Sequence, residues 1–245
     1  MNTHRPVLSI VIPAYNEELR IGATLADIKR FFSDRALSYE IIVVSDGATD
    51  GTEAVVRDFA EGLPALRLIS YCKNRGKGFA VKAGMLAAKG EYRLFMDADN
   101  SVRIDSIEPF LREMGRNGCE VAIGSIDSDE SGVIDRAGWH RRLASKASRF
   151  LIRALATPGI RDTQRGFKLF TERAVKAVFP LQRTERFGFD VELLVIAREK
   201  GFGIREIPVY WENPSGSKVS LRSYYESLIE LWRIYVNMLR GAYRA

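Results

Sequence analysis

The sequence predicts an α/β fold, and three observations argue a parallel sheet covered by helices on both faces. Short apolar, often β-branched runs alternate with longer segments of helical spacing through the first hundred residues. The runs are apolar at nearly every position, as strands buried on both faces must be. Polar and acidic residues come directly after them, at the strand ends where open α/β sheets bind ligands. The chain has 245 residues. A chain of this size buries roughly 70–75% of its extended surface, so a single domain spanning 1–245 is expected.

The elements run in order. Leu8–Ile12, Ile41–Val44, Leu66–Ser70 and Tyr92–Met96 read as strands. Glu17–Phe32, Thr52–Glu61 and Gly78–Lys89 read as the helices between them, because their apolar residues recur on one helical face. A fifth strand is expected at Glu120–Ile126. After it comes a loop rich in Asp, Ser and Gly over Asp127–Gly132. A helix over Trp139–Leu155 is stopped by Thr157-Pro158-Gly159, since proline cannot continue a helix and glycine suits its end. Phe167–Thr171 and Ile204–Trp211 read as further strands. Phe189–Lys200 reads as a helix, and Ser223–Leu239 as a final amphipathic one.

Composition narrows the function classes. The apolar fraction is 46% and the charged fraction 28%, which excludes a disordered or collagenous chain. Cys72 and Cys119 have no metal-ligand spacing, and His4 and His140 lie far apart, so a structural zinc site is not expected. Two cysteines suit a reducing compartment. No apolar run reaches the length of about 18 residues that a membrane span needs, and the N-terminal run is too short for a signal peptide. The net charge of +6 points to an anionic partner. A nucleic-acid binder would interleave its basic residues with stacking aromatics and would leave the acidic strand ends without a purpose. No nucleic-acid partner is therefore expected.

Four motifs can carry chemistry. Asp97-Ala98-Asp99 directly follows Tyr92–Met96. An isolated Asp-x-Asp is most often a solvated turn. At the end of a buried strand, two repelling carboxylates make better sense around a divalent cation that also meets a polyphosphate. Mg2+ and Mn2+ both accept such oxygen ligands. In Ser45-Asp46-Gly47-Ala48-Thr49-Asp50-Gly51-Thr52, Asp46 sits where it can accept hydrogen bonds from a base or ribose, while Asp50 reads as a cap for the next helix. Asn74-Arg75-Gly76-Lys77-Gly78 opens a helix, where glycines allow close approach and amides favour anions. It matches neither a Walker loop nor a dinucleotide fingerprint, and a plain turn explains it equally well. Asp162-Thr163-Gln164-Arg165-Gly166-Phe167-Lys168 and Phe189-Asp190-Val191-Glu192 put carboxylates beside loops, where one can serve as a general base, but on spacing alone an ordinary loop acid or helix cap explains each block better.

Together these residues form a recognisable series. Pro13-Ala14-Tyr15-Asn16-Glu17, Asp46, Asn74-x-Gly76-x-Gly78, Asp97-x-Asp99, Gly124-Ser125, the Asp162–Lys168 block and Phe189-Asp190-x-Glu192 resemble family-two glycosyltransferases of the GT-A fold. Within that family the chain is most similar to the polyprenyl-phosphate glycosyltransferases, the dolichyl-phosphate β-glucosyltransferases included. The likeness runs from about Leu8 to Leu239, with the Asp162–Phe170 block and Trp211-Glu212 … Gly216-Ser217-Lys218 as its specific parts.

The resemblance implies an inverting, metal-dependent transfer of a sugar, glucose from UDP-glucose in the nearest members, to a polyprenyl phosphate. A polysaccharide or protein-linked glycan acceptor is the alternative. A donor-binding part of about 7–126 and an acceptor- and lipid-facing part of about 127–245 are implied. By position, Pro13, Tyr15 and Glu17 border base and ribose, and Asp46 contacts the base. Asn74, Gly76, Lys77 and Gly78 lie along the diphosphate, and Asp97 and Asp99 hold Mg2+ or Mn2+ with the donor. Asp162 and Gln164 face the reacting sugar, with Asp162 the first and Asp190 the second candidate for the base or acceptor-orienting acid. The chain departs from the family at Ile126, where Arg is frequent, and at Arg165, where eukaryotic members often carry Cys; Arg165 can bind phosphate bidentately.

The stretch from Arg136 to Lys168 holds nine Lys or Arg against one acid, Asp162. Its expected helix mixes Arg141, Arg142, Lys146, Arg149 and Arg153 with Trp139, Leu143 and Phe150. A basic amphipathic helix of this kind suits an anionic membrane surface or a solvated charged face over the core, and Arg141 and Arg142 can present charge to an acceptor phosphate. A cytoplasmic enzyme held peripherally on the inner face of the plasma membrane is therefore expected, without the N-terminal anchor of its eukaryotic counterparts.

Overall fold

The structure, a computed structural model, describes residues 5–126, 160, 162–163, 165–212 and 221–244; for 117 and 221–228 it describes the backbone only. The chain runs β1 (Leu8–Ala14), α1 (Ile21–Phe32), β2 (Tyr39–Asp46), α2 (Thr52–Glu61), β3 (Leu66–Tyr71), α3 (Lys77–Ala87), β4 (Tyr92–Met96), α4 (Ile107–Glu113), β5 (Cys119–Ser125), β6 (Phe167–Thr171), α5 (Glu172–Val178), α6 (Phe189–Glu199), β7 (Gly203–Pro208) and α7 (Leu221–Leu239). The helix expected over Trp139–Leu155, with Arg141 and Arg142, lies outside the described residues, as does Gln164.

Seven strands form one sheet in the order β3-β2-β1-β4-β6-β5-β7. β1 runs parallel to β2 and β4, and β2 parallel to β3. β6 is antiparallel to both β4 and β5, and β5 and β7 pair in parallel. The sheet is thus mixed and mostly parallel: its parallel part is what the sequence rhythm predicts, and its mixed character is that of the GT-A fold which the resemblance implied. The alternation along each strand divides the core in two, since successive side chains point to opposite faces. On one face Val11, Ile42, Val44, Phe95 and Phe170 pack under α3, α5 and α6. On the other, Ile10, Ile12, Ile41, Leu94 and Leu169 pack under α1, α2 and α4.

Several boundaries differ from the sequence reading, each for a physical reason. β1 continues through Pro13, which pairs in register with Val44. β4 accompanies β1 only as far as Val11, so the strand at Pro13 is laddered on one side, where proline is tolerated. The segment from Glu17 is a turn, not helix: the Glu17 carbonyl accepts from both Arg20 and Ile21 before α1 begins. β7 stops at Pro208, opposite Ser125, the last residue of β5. Two short helices were not expected. α4 buries only Ile107 and Phe110. α5 starts directly after β6, where Thr171 caps it by accepting from the Ala174 amide at 3.2 Å.

β6 decides the architecture of the site. Because it runs against β4, Met96 at the carboxyl end of β4 pairs with Phe167 at the start of β6. The end of β4 therefore meets the segment that enters β6.

Candidate active site

Asp46 ends β2 and is almost wholly buried (2% exposed). Its carboxylate accepts from the Arg75 amide at 3.0 Å and the Gly76 amide at 2.6 Å, and its carbonyl accepts from Asn74 Nδ2 at 3.1 Å. Asp46 thus shapes the 74–78 loop from the strand beside it. Gly76 takes φ +122°, and a Cβ there would lie 2.5 Å from the Glu185 carbonyl, so only glycine suits the position. Arg75 pairs with Glu185 and stacks on Phe79 at 3.7 Å from the ring centroid. The Asn74–Gly78 block indeed opens a helix, α3, which begins at Lys77.

Lys77 joins this loop to the Asp97-x-Asp99 motif. Its Nζ lies 2.5 Å from Asp97 Oδ1. Burial opposes charge on Lys77, but the carboxylates of Asp97, Asp190 and Asp99 outweigh it and hold its pKa above the ordinary lysine value. Asp99 accepts from the Ser101 amide at 3.1 Å. Asn100 comes next at φ +58°, a conformation Asn tolerates better than most residues, and donates to Asp27 Oδ2 at 2.6 Å.

The segment entering β6 closes the other side. The Asp97 amide donates to the Gly166 carbonyl at 3.0 Å. Gly166 lies so close beneath the Asp97 side chain that a Cβ would stand 2.1 Å from Oδ2. Arg165 Nε donates to Asp162 Oδ2 at 2.8 Å, and the guanidinium lies 4.9 Å from the Trp211 ring centroid. The Asp162 amide donates to Glu206 Oε1 on β7 at 2.9 Å. Asp190, in the first turn of α6, is buried against Lys168 of β6. Burial pushes the Asp190 carboxyl up, against the pull of Lys168 and Lys77, while Asp97 adds to the rise.

The first strand end forms a separate arc. Pro13 is buried within β1, and Tyr15 is exposed. Asn16, at φ +54°, accepts from the Thr49 amide at 2.8 Å. Glu17 makes a bidentate pair with Arg20 at 2.6 and 2.7 Å, and its amide donates to Thr52 Oγ1 at 2.8 Å. Asp50 accepts from the Thr52 amide at 3.0 Å, the capping role its sequence position suggests.

Of the residues singled out from sequence, Asp46, Asn74 and Gly76 form one hydrogen-bonded group. Lys77, Asp97, Asp99, Asp162, Arg165 and Asp190 form another, linked by ion pairs, backbone bonds and the shared field on Lys77. Pro13 lies within β1 opposite Val44 of β2, and Tyr15 and Glu17 come directly after the β1 end. Sequence reasoning missed Lys168 as a member, because a lysine between Phe167 and Leu169 gives no local sign of burial.

The donor set fits a divalent cation of the Mg2+ or Mn2+ kind. Three carboxylates, Asp97, Asp99 and Asp190, face two ammonium groups, Lys77 and Lys168. Lys77 and Lys168 pair with Asp97 and Asp190, and the third carboxylate, Asp99, accepts from the Ser101 amide. Among the described residues no three His, Cys, Asp or Glu side chains converge on one metal position. A cation here would take the rest of its ligands from phosphate and water, which is how magnesium is usually bound.

A family model described as glycosyl transferase family 2 matches residues 9–179. The chain belongs to glycosyl transferase family 2. Dolichyl-phosphate β-glucosyltransferase of Homo sapiens is 37% identical over 250 residues, covering 97% of this chain and 77% of its own. The enzyme of that name from Dictyostelium discoideum is 32% identical, covering 93% of this chain and 76% of its own. The Saccharomyces cerevisiae one is 35% identical, covering 87% and 69%. Glucosyl-3-phosphoglycerate synthase from Mycobacterium tuberculosis, crystallised with Mn2+, UDP and glucosyl-3-phosphoglycerate, superposes with a TM-score of 0.70. It is 19% identical, covering 94% of this chain and 80% of its own. The shared fold is the GT-A architecture that the resemblance implied.

Proposed function

We propose that this family-two enzyme transfers glucose, with inversion, from UDP-glucose to a polyprenyl phosphate such as dolichyl or undecaprenyl phosphate at a membrane surface. The observation that carries the reading is the contact of the Asp162–Lys168 block with the Asp97 strand end through Gly166. That block is the specific part of the likeness to polyprenyl-phosphate glycosyltransferases, and the named relatives support the same acceptor class.

In this reading Pro13, Tyr15, Glu17 and Asp46 border the nucleoside. Asn74, Gly76, Lys77 and Gly78 follow the diphosphate, with Lys77 exchanging part of its pairing with Asp97 for phosphate. Asp97 and Asp99 hold Mg2+ or Mn2+ together with the donor; when bound, the ion neutralises charge on the departing diphosphate. Asp162 orients the attacking phosphate oxygen beside the sugar, with Gln164 alongside. A phosphate monoester has its second pKa near about 6, so most of the acceptor is already ionised at neutral pH. Positioning then contributes more than proton removal. Asp190 supports this from the buried side. Arg165, and Arg141 and Arg142 outside the described residues, supply charge to the acceptor phosphate.

Membrane attachment rests on the surface of the acceptor half. Ile229, Trp232 and Leu239 of α7 are exposed, and so is Phe187, next to the Gly188 amide that donates to Glu230 of α7 at 2.7 Å. Aromatic side chains suit the headgroup layer. Among the described residues no helix is long and apolar enough to cross a membrane.

The test uses UDP-glucose labelled in the sugar, a short polyprenyl phosphate, and MgCl2 or MnCl2. Label is expected to enter the organic phase only with the lipid present and to stay in water when a chelator is added. Label that moves only to a glycan or protein acceptor would overturn the lipid assignment. Full transfer under chelation would overturn the metal role.

A further inference from the structure

Lys168 is fully buried in the middle of β6, between Phe167 and Leu169. A buried ammonium needs partners at short range, and Lys168 has two. Its Nζ donates to the Arg165 carbonyl at 2.6 Å and to the Asp190 carboxylate, and lies 5.2 Å from the Phe95 ring centroid. The two acceptors come from different parts of the chain. The Arg165 carbonyl belongs to the loop whose side chains form the Asp162–Arg165 pair. Asp190 belongs to the first turn of α6.

Stability alone does not account for this arrangement. Well-packed apolar side chains commonly replace a buried ion pair without loss, and every other residue of β6 up to Phe170 is apolar and buried. The charge sits instead where the backbone of the loop bearing Asp162 comes within reach of the first turn of α6. We propose that Lys168 is a positioning residue for the transfer reaction: its ammonium pins the Asp162–Arg165 loop to the start of α6 and so sets the acceptor side of the site. The proposal rests on the glycosyl-transfer reading above. It divides the labour between two lysines. Lys77 serves the donor side, from the helix that comes after the Asn74–Gly76 loop. Lys168 serves the acceptor side, from the strand that comes after the Asp162 loop.

The test compares wild type, Lys168→Met, Asp190→Asn and the double variant, with UDP-glucose, MnCl2 and a short polyprenyl phosphate. Lys168→Met is expected to lower kcat by about a hundredfold, the scale on which small misplacements act. Affinity for UDP with MnCl2, read by calorimetry, should change little. The two single losses should not multiply in the double variant, because each breaks the same link. Hydrogen exchange should rise in the peptide containing Asp162 and Arg165 and stay unchanged in α3. An unaltered kcat, an equal loss of UDP affinity and kcat, or losses that multiply would each overturn the proposal. If Lys168→Met does not fold because Asp190 is left unpaired, the double variant, neutral at both positions, carries the comparison against Asp190→Asn. Matched kcat with faster loop exchange supports the proposal, and a further large loss of kcat overturns it. Loop exchange needs no turnover, so a wild-type enzyme that transfers nothing to the lipid would overturn the acceptor reading alone.

Discussion

At Gly166 the backbone of one motif touches the side chain of another. A methyl group there would meet the Asp97 carboxylate, with Oδ2 at 2.1 Å. Gly166→Ala is expected to displace that carboxylate and lower kcat by about 10²-fold while thermal unfolding shifts little, a contrast that steady-state kinetics and calorimetry would show. Asp99→Ala is expected to abolish transfer with the fold intact. Undiminished turnover would remove Asp99 from the site. Asp162→Asn is expected to lower kcat far more than donor affinity, since the proposed reading gives this Arg165-paired residue to the acceptor side. Initial rates at varied UDP-glucose would separate the two effects. The acidic strand ends were legible in the sequence because each carboxylate comes directly after an apolar run that reads as a buried strand. Lys168 was not, because the carboxylate that pairs with it, Asp190, is remote in sequence.

Among the elements, α7 and the turn after it are joined to the site through two glutamates. Tyr243 is fully buried and donates to Glu192 Oε1 at 2.7 Å, and Glu192 Oε2 accepts the Arg183 and Thr184 amides at 3.0 and 2.7 Å. Burial and the Glu192 charge push the Tyr243 hydroxyl well up, keeping it a donor. The 182–185 segment also meets the start of α3, where the Phe79 amide donates to the Glu185 carbonyl at 3.0 Å and Gln182 Nε2 donates to the Gly78 carbonyl at 2.9 Å. Tyr243→Phe removes one bond to a buried carboxylate and is expected to cost about 1.5–3 kcal/mol, read from urea unfolding. Most elements were visible as periodicity: β4, β6 and α2 match their expected bounds. α4 and α5 were not, because each is a seven-residue helix, too short for a helical period to stand out.

Over the molecule as a whole, charge organises both stability and surface. Glu172, hydrogen-bonded by Lys176 and Arg5, is held below the ordinary glutamate value. A depressed carboxylate stabilises the fold above its unfolded pKa of about 4.3, and that contribution disappears as pH falls through the folded value. The fall in Tm between pH 5 and pH 3 is therefore expected to be shallower in Glu172→Gln. Toward lipid, the net charge of +6 and the exposed Trp232 and Ile229 predict flotation with anionic vesicles at low salt. That flotation should be weakened by added salt and by Trp232→Ala; failure to float with polyprenyl phosphate in the vesicles would count against a peripheral enzyme.

Read as a string, the chain already carries the alternation of buried strands and amphipathic helices and the placement of Asp46, Asp97 and Asp99 at strand ends. Those features are local: they depend on side-chain periodicity and on the residue types that directly succeed an apolar run. The partnerships came only with folding. The reversal of β6 lays Gly166 beneath Asp97, Lys77 takes up charge that the sequence alone assigns to a metal ion, and Lys168 meets Asp190 inside the core. Each depends on distance and loss of solvent between residues remote in sequence, and no pattern along the chain encodes either quantity.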